Sequence, residues 1–314
     1  MPTATELFTT SGTLTPRAPF DFVKTLAFFR MFTPMSDEQT IVGDALTKAI
    51  SVDGRAVAFT VRNSGSADAP QLSYTLAAEQ PLDEGEIALV RDRISFFLSL
   101  DDDLQPFYAI ATEDTDFAPI IQRLYGLHQP KFLTPFEIAC WAVLAQRMPM
   151  PIARRIKARI FERYGTSIAL NGVTYRAFPE PAQLAAADPL ELAGIVRNER
   201  KCDYLNAVIQ FFAGVDEQFL RTGPIAEVAA RIRGIRGIGE WSTHFILVRG
   251  LGRMEQLSNE EPEMLKAAAR IYNGGQPLTT AQFERLRDRY GNQQGYWAFY
   301  ARNAMLGSSS PTEE

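Results

Sequence analysis

A change of period at Asp83 divides this chain into two kinds of sequence. Before it, Gly43 to Thr47, Ala56 to Arg62 and Gln71 to Leu76 alternate apolar and polar residues. Asp53-Gly54 and Asn63-Ser64-Gly65 stand between them as turns, which is the pattern of an antiparallel sheet. Pro19 to Arg30 adds one amphipathic helix, with Phe22, Leu26 and Phe29 at helical spacing behind a proline suited to a helix start. From Asp83 onward the period is helical: Ala88–Leu98, Phe117–Leu124, Phe136–Gln146, Ile152–Tyr164, Leu190–Ile195, Cys202–Phe212, Ile225–Arg233, Trp241–Gly250, Pro262–Tyr272, Thr280–Tyr290 and Tyr296–Met305. The expectation is an α+β protein, with a sheet-bearing region over 1–110 and an all-helical array over 111–314 joined by short breaks. The tail from Gly307 is expected to fray.

Composition narrows the function. At 314 residues, 46% of them apolar and 22% charged, the chain has enough apolar residues for two or three packed units, and the disordered and fibrous classes are excluded. Met1-Pro2-Thr3-Ala4-Thr5-Glu6 has no basic run leading into an apolar stretch, and no run of eighteen apolar residues follows, so a cytoplasmic protein is expected, nucleoid-associated in a bacterial cell, with no membrane partner. Two cysteines, Cys140 and Cys202, exclude a disulfide framework, a four-cysteine zinc site and a four-thiolate iron-sulfur cluster. Two histidines make a histidine-held metal centre an unpromising source of catalysis, and no metal ligand set is expected. The net charge of −5 runs against nucleic-acid binding, but it is unevenly placed: −7 through residue 110 and +2 beyond it. Basic runs at Arg154–Arg163 and Arg221–Arg253 fall in the second part, although such runs are most often solvated helix faces.

The most informative segment is Ile232-Arg233-Gly234-Ile235-Arg236-Gly237-Ile238-Gly239-Glu240-Trp241-Ser242, between two helical stretches. Glycines there permit positive φ and close approach of a phosphate, which the free amides at the second helix's start can bind. On Gly-x-Gly alone, an ordinary glycine C-cap followed by a new helix is the better fit. In context the segment resembles the helix-hairpin-helix of DNA base-excision glycosylases, and collinear matches from about residue 18 to about 304 follow the DNA-3-methyladenine glycosylase II family. These are Pro19-Phe20-Asp21-Phe22, Leu26-Ala27-Phe28-Phe29, Asp101–Tyr108, Thr134–Glu137, Phe178-Pro179-Glu180-Pro181, Leu184–Pro189, Arg200-Lys201 with Tyr204-Leu205, and Gly295-Tyr296.

That resemblance implies a TATA-binding-protein-like N-terminal sheet, two helical subdomains flanking a base pocket, and a monomer that flips alkylated purines of the 3-methyladenine type out of double-stranded DNA and hydrolyses the N-glycosidic bond without a cofactor. Breaking that bond builds positive charge on the sugar, so a carboxylate is wanted near the anomeric carbon. The family's Asp falls at Glu261, one methylene longer, just before Pro262 and flanked by Glu260 and Glu263. A descendant that keeps the hairpin and has lost the chemistry is the alternative. Trp241 stands where lyase members carry a nucleophilic Lys, which implies a monofunctional enzyme. Trp241, Phe22, Tyr296, Trp297 and Phe299 are the implied pocket walls, with Phe20 and Tyr300 beside them, and Arg302 stands near a position that the family often gives to Trp. DNA contacts fall on Gly234, Arg236, Gly237, Ile238, Gly239 and Ser242. Leu144-Ala145-Gln146 precedes the residues implied to fill the vacated stack, Arg147 and Met148. The carbonyls of Gly234, Gly237 and Gly239 are implied to hold a monovalent ion when DNA is bound.

Overall fold

The computed structural model describes residues 6–257 and 261–306; the tail at 307–314 and Glu260 lie outside the described residues. The period change at Asp83 is a helix start: Asp83 accepts from the Glu86 amide at 2.8 Å while Glu86 accepts from the Asp83 amide at 2.9 Å, a reciprocal cap that opens α2. In front of it lie β1 (Phe8–Leu14), α1 (Phe22–Met31), β2 (Gln39–Val42), β3 (Ala45–Val52), β4 (Arg55–Asn63) and β5 (Leu72–Ala78). The strands form one antiparallel sheet in the order β1-β5-β4-β3-β2. Behind it run α2 (Glu84–Leu98), α3 (Gln105–Ala111), α4 (Ala118–Leu124), α5 (Pro135–Ala145), α6 (Met150–Tyr164), β6 (Thr166–Leu170), β7 (Val173–Ala177), α7 (Pro181–Ala185) and α8 (Pro189–Val196). The chain continues through α9 (Glu199–Gly214), α10 (Glu217–Thr222), α11 (Ile225–Arg233), α12 (Glu240–Leu251), α13 (Pro262–Tyr272), α14 (Thr280–Arg289) and α15 (Gln294–Leu306).

The expected α+β architecture is present, with one correction: the second part is not all-helical. β6 and β7 form a hairpin around Asn171-Gly172, both at positive φ (51° and 78°). Asn-Gly between β-rich runs is the strongest short hairpin signal.

The hairpin has a place to pack because of three alanines. Ala49 pairs with Ala58 and Ala58 with Ala77, so one row of small side chains crosses β3, β4 and β5 on the same face. Ile168 and Tyr175 of the hairpin close over that row and bury it. The opposite face carries Leu46, Ile50, Val57, Phe59, Val61, Tyr74 and Leu76, and joins the main core. There the Phe97 ring of α2 stacks on Phe29 of α1 at 4.8 Å and meets Phe59 edge-on at 6.4 Å.

Sheet and helices are also joined by buried charge. Lys157 of α6 sits between Glu137 of α5, at 2.7 Å, and Glu38, and Glu38 in turn accepts from Lys48 of β3 at 3.1 Å. Burial alone would lower the Lys157 pKa, but Glu137 and Glu38 outweigh it and raise it. Burial likewise opposes the Glu38 carboxylate, and Lys157 and Lys48 hold it below its ordinary value.

Candidate active site

α11 and α12 form the hairpin that the glycines announced. Gly237 takes φ +91°, and the ring of Tyr204 on α9 packs so closely beneath it that a Cβ would stand 2.2 Å from Tyr204 Cγ. Only glycine meets both demands. Ile235 and Ile238 point inward and are buried, so they anchor the loop and expose its backbone. Gly239 is the N-cap of α12 with open space where a Cβ would be, which leaves the first amides of that helix facing outward.

The loop after α5 is locked to this hairpin. Gln146 donates to the Gly237 carbonyl at 2.8 Å. Lys201, three residues before Tyr204, donates to the carbonyls of Val143, Leu144 and Gln146 at 2.7–2.9 Å, and so caps the end of α5. Arg147 follows, exposed and at φ +48°, beside the hairpin. The Arg200-Lys201 and Tyr204-Leu205 matches therefore have a physical purpose: one holds α5, the other forces the glycine.

α12 then presents one stripe, Trp241, His244, Phe245, Val248 and Arg249, to a cleft of about 760 Å³ whose other walls are Phe28 and Phe32 at the C-terminal end of α1, Glu261 and residues of α13, and Phe299, Arg302 and Asn303 of α15. Trp241 is 53% exposed and stacked on Phe245, with centroids 5.1 Å apart and planes at 10°. Glu261 is the N-cap residue of α13, as Pro262 predicted, yet its side chain does not cap the helix. One carboxylate oxygen is bonded to Arg302; the other, Oε2, is buried and accepts no hydrogen bond among the described residues. Arg302 lies where burial lowers its pKa to about 10, still cationic at neutral pH.

Several expected site residues lie elsewhere. Phe22, Tyr296 and Trp297 are buried in the core and none lines the cleft. Tyr296 gives its hydroxyl to Asp102, and Trp297 donates to Tyr272 at 3.1 Å, because α15 turns that face toward α3 and α14. Phe20, against His128, and Tyr300, bonded to Tyr108, are core residues too. Ser242 is 4% exposed and within 3.5 Å of Gln146, so it braces the hairpin from inside and does not face outward. The Ile238 side chain is likewise internal, and Met148 is half-buried against the core, leaving Arg147 as the exposed tip. Arg236 is exposed and 3.4 Å from Asp203. The carbonyl of Gly237 accepts from Gln146, and that of Gly239 from the Thr243 hydroxyl.

Sequence reasoning left out His244, and it counted Arg249 only as one charge in a basic run. Both were legible as positions three and eight residues past Trp241 on one helical face. His244 is pushed down to about 4 by burial and then by the Arg302 charge. The unfolded chain, with a pKa of about 6.5, therefore binds more protons at mildly acid pH, and stability present above 6.5 is lost as pH falls toward 4. His128, also lowered by burial, acts in the same direction. Urea unfolding between pH 7 and pH 4 is expected to show His244→Gln reducing the slope by up to about 1.4 kcal/mol per pH unit; identical slopes would contradict this assignment.

No family model matches the chain. Among solved structures, a 3-methyladenine DNA-glycosylase from Archaeoglobus fulgidus superposes with a TM-score of 0.75 at 20% identity, covering 95% of this chain and 99% of that one. An 8-oxoguanine glycosylase/lyase from Clostridium acetobutylicum bound to DNA gives 0.67 at 13%, over 97% and 99%. The fold is therefore that of the helix-hairpin-helix glycosylases. By sequence, the chain is 25% identical over 223 residues to the DNA-3-methyladenine glycosylase of Bacillus subtilis, covering 70% of this chain and 74% of that protein. It is 26% identical over 125 residues to DNA-3-methyladenine glycosylase 2 of Escherichia coli, covering 40% and 44%. In sequence and in fold the chain is thus similar to DNA-3-methyladenine glycosylases.

Proposed function

We propose that this protein is a monofunctional DNA glycosylase that removes alkylated purines from double-stranded DNA. The observation that carries the reading is Glu261: a carboxylate at the wall of an aromatic cleft next to the hairpin, one oxygen held by Arg302 and the other without a partner. Outward amides at the start of α12 bind a backbone phosphate, and Arg147 fills the space left in the duplex. The flipped base enters the cleft against the Trp241–Phe245 stack. Water attacks the anomeric carbon as the glycosidic bond breaks, and the free oxygen of Glu261 stabilises the positive charge that develops on the sugar. With Trp241 where a nucleophilic amine would stand, no Schiff base forms and the strand stays intact. The protein acts as a monomer where the chromosome is, in the cytoplasm and with the nucleoid in a bacterial cell.

One observation favours the second reading, a DNA-binding protein whose chemistry has lapsed: the Arg302 cation already neutralises Glu261. The test is single-turnover incubation with methylated duplex DNA. Release of methylated purines, with unbroken strands and no adduct trapped by borohydride, is the expected result. Tight binding with no release would establish the second reading, and a trapped adduct would contradict both.

A further inference from the structure

Arg249 has no role in the chemistry just described, yet its setting is unusual. It is 7% exposed on α12, and its guanidinium has no hydrogen-bond or ion-pair partner among the described residues. The other buried cations do: Lys157 has Glu137 and Glu38, Lys201 has three carbonyls, and Lys131 has Ser99 and Asp102. The guanidinium lies over three rings, 4.8 Å from Phe28, 4.4 Å from Phe32 and 5.8 Å from Phe299. The charged and titratable groups that share its cleft are Arg302, paired with Glu261, and His244, neutral at physiological pH, with Glu263, Lys266 and Arg270 on α13. Burial, and then the like charge of Arg302, lowers the Arg249 pKa to about 9, so it remains charged at neutral pH. A buried guanidinium with unused donors in an open cleft lacks an acceptor, and none of the described residues supplies one.

Two consequences follow for a base in that cleft. The Phe28, Phe32 and Phe299 rings, which would attract a cationic base, are already occupied by the protein's own cation. Purines alkylated on N3 or N7 carry formal positive charge and meet repulsion from Arg249. A guanine alkylated on N1 is neutral and keeps O6 and N7 as adjacent acceptors, which match the two parallel donors of a guanidinium.

Resting on the glycosylase reading above, we propose that Arg249 is a catalytic residue that grips the O6/N7 edge of the flipped base, and that the cleft selects neutral 6-oxopurines alkylated on their pairing edge over cationic alkylated purines. The step balances simply. Water oxygen bonds to C1′, and the C1′–N9 pair of electrons leaves with the purine, which departs as an anion. The proton lost by the water returns to the purine in solvent, giving the free base and an abasic sugar. The anion's charge spreads onto N7 and O6, where the guanidinium stabilises it. A cationic purine leaves as a neutral molecule and gains nothing from that contact.

The test is single-turnover release from two duplexes, one with 1-methylguanine and one with 3-methyladenine, each rate divided by the uncatalysed loss from the same duplex. The wild type is expected to show the larger enhancement on 1-methylguanine. Arg249→Met is expected to lower 1-methylguanine release by about a hundredfold and to raise 3-methyladenine release several-fold, because a donor is lost for one and a repulsion for the other. Arg249→Lys keeps the charge without the fork and falls between. Thermal unfolding guards against misfolding: removing an unpartnered buried charge leaves the melting temperature of Arg249→Met at or above that of the wild type, whereas a structural role would lower it. A larger wild-type enhancement on 3-methyladenine, or Met lowering both rates alike, overturns the proposal and leaves the glycosylase reading standing. Release of neither base overturns both.

Discussion

Glu261→Gln abolishes base release while leaving DNA binding in place. The substitution keeps the shape of the side chain and a hydrogen-bonding oxygen for Arg302, but removes the negative charge that faces the sugar. Losing a preorganised electrostatic partner of a developing charge costs roughly a hundred- to a thousandfold in rate. Glu261→Asp, one methylene shorter, keeps the charge but draws it back from Arg302. A displacement of about 1 Å costs up to about a hundredfold, so Asp is expected to fall between Gln and the wild type. Single-turnover release from methylated duplex, read beside fluorescence-anisotropy binding of an abasic-site duplex, separates chemistry from affinity. Gln activity within about threefold of wild type would remove Glu261 from the mechanism. A gain of activity in Asp alone would mean that the longer side chain had disabled an ancestral site.

Gly237→Ala carries the largest expected effect on the fold of the site. Two costs coincide: positive φ for a residue with a Cβ, and a Cβ placed 2.2 Å from the Tyr204 ring. The first costs about 1 kcal/mol and the second about 1–3 kcal/mol. Stability is expected to fall by about 3 kcal/mol, and DNA affinity by at least about tenfold, since the Gln146 bond to the Gly237 carbonyl is displaced as well. The pair Gly237→Ala with Tyr204→Ala should recover the steric part and leave only the backbone part. Urea unfolding of both single variants and the double variant measures that coupling. Strict additivity would mean that Tyr204 is not what confines the loop.

These two sites show what the chain discloses and what it keeps back. The hairpin was readable because Gly237-Ile238-Gly239 is a backbone requirement written in residue types, and Pro262 placed Glu261 at a helix start by the same logic. The cleft walls were not readable in that way. Tyr296 and Trp297 are aromatic and helical, as Phe299 is, and only the rotation of α15 against α3 and α14 decides which of them faces the cleft; Phe22, on α1, is turned into the core in the same unannounced way. That rotation is set by contacts such as Phe107 with Tyr296 and Phe283 with Trp297, which no local pattern in α15 announces. The Glu261–Arg302 pair was hidden for the same reason: forty-one residues separate its partners. β1 escaped notice because it is an edge strand in which only Leu14 is buried, so it lacks an apolar alternation. β6 and β7 were signalled by Asn171-Gly172, and the alanine row that receives them gave no sign, since small residues at alternate positions read as neutral in a strand.

The line of alternating charge through Lys48, Glu38, Lys157 and Glu137 bears on how the molecule assembles. Each half carries a complete ion pair of its own, Lys48 with Glu38 and Lys157 with Glu137, so each can collapse without stranding a charge. Only the contact of Glu38 with Lys157, across a separation of 119 residues, ties the two pairs into one buried line. Such a closure is long-range and has to wait for both segments to be in place, which makes it a late contact in assembly.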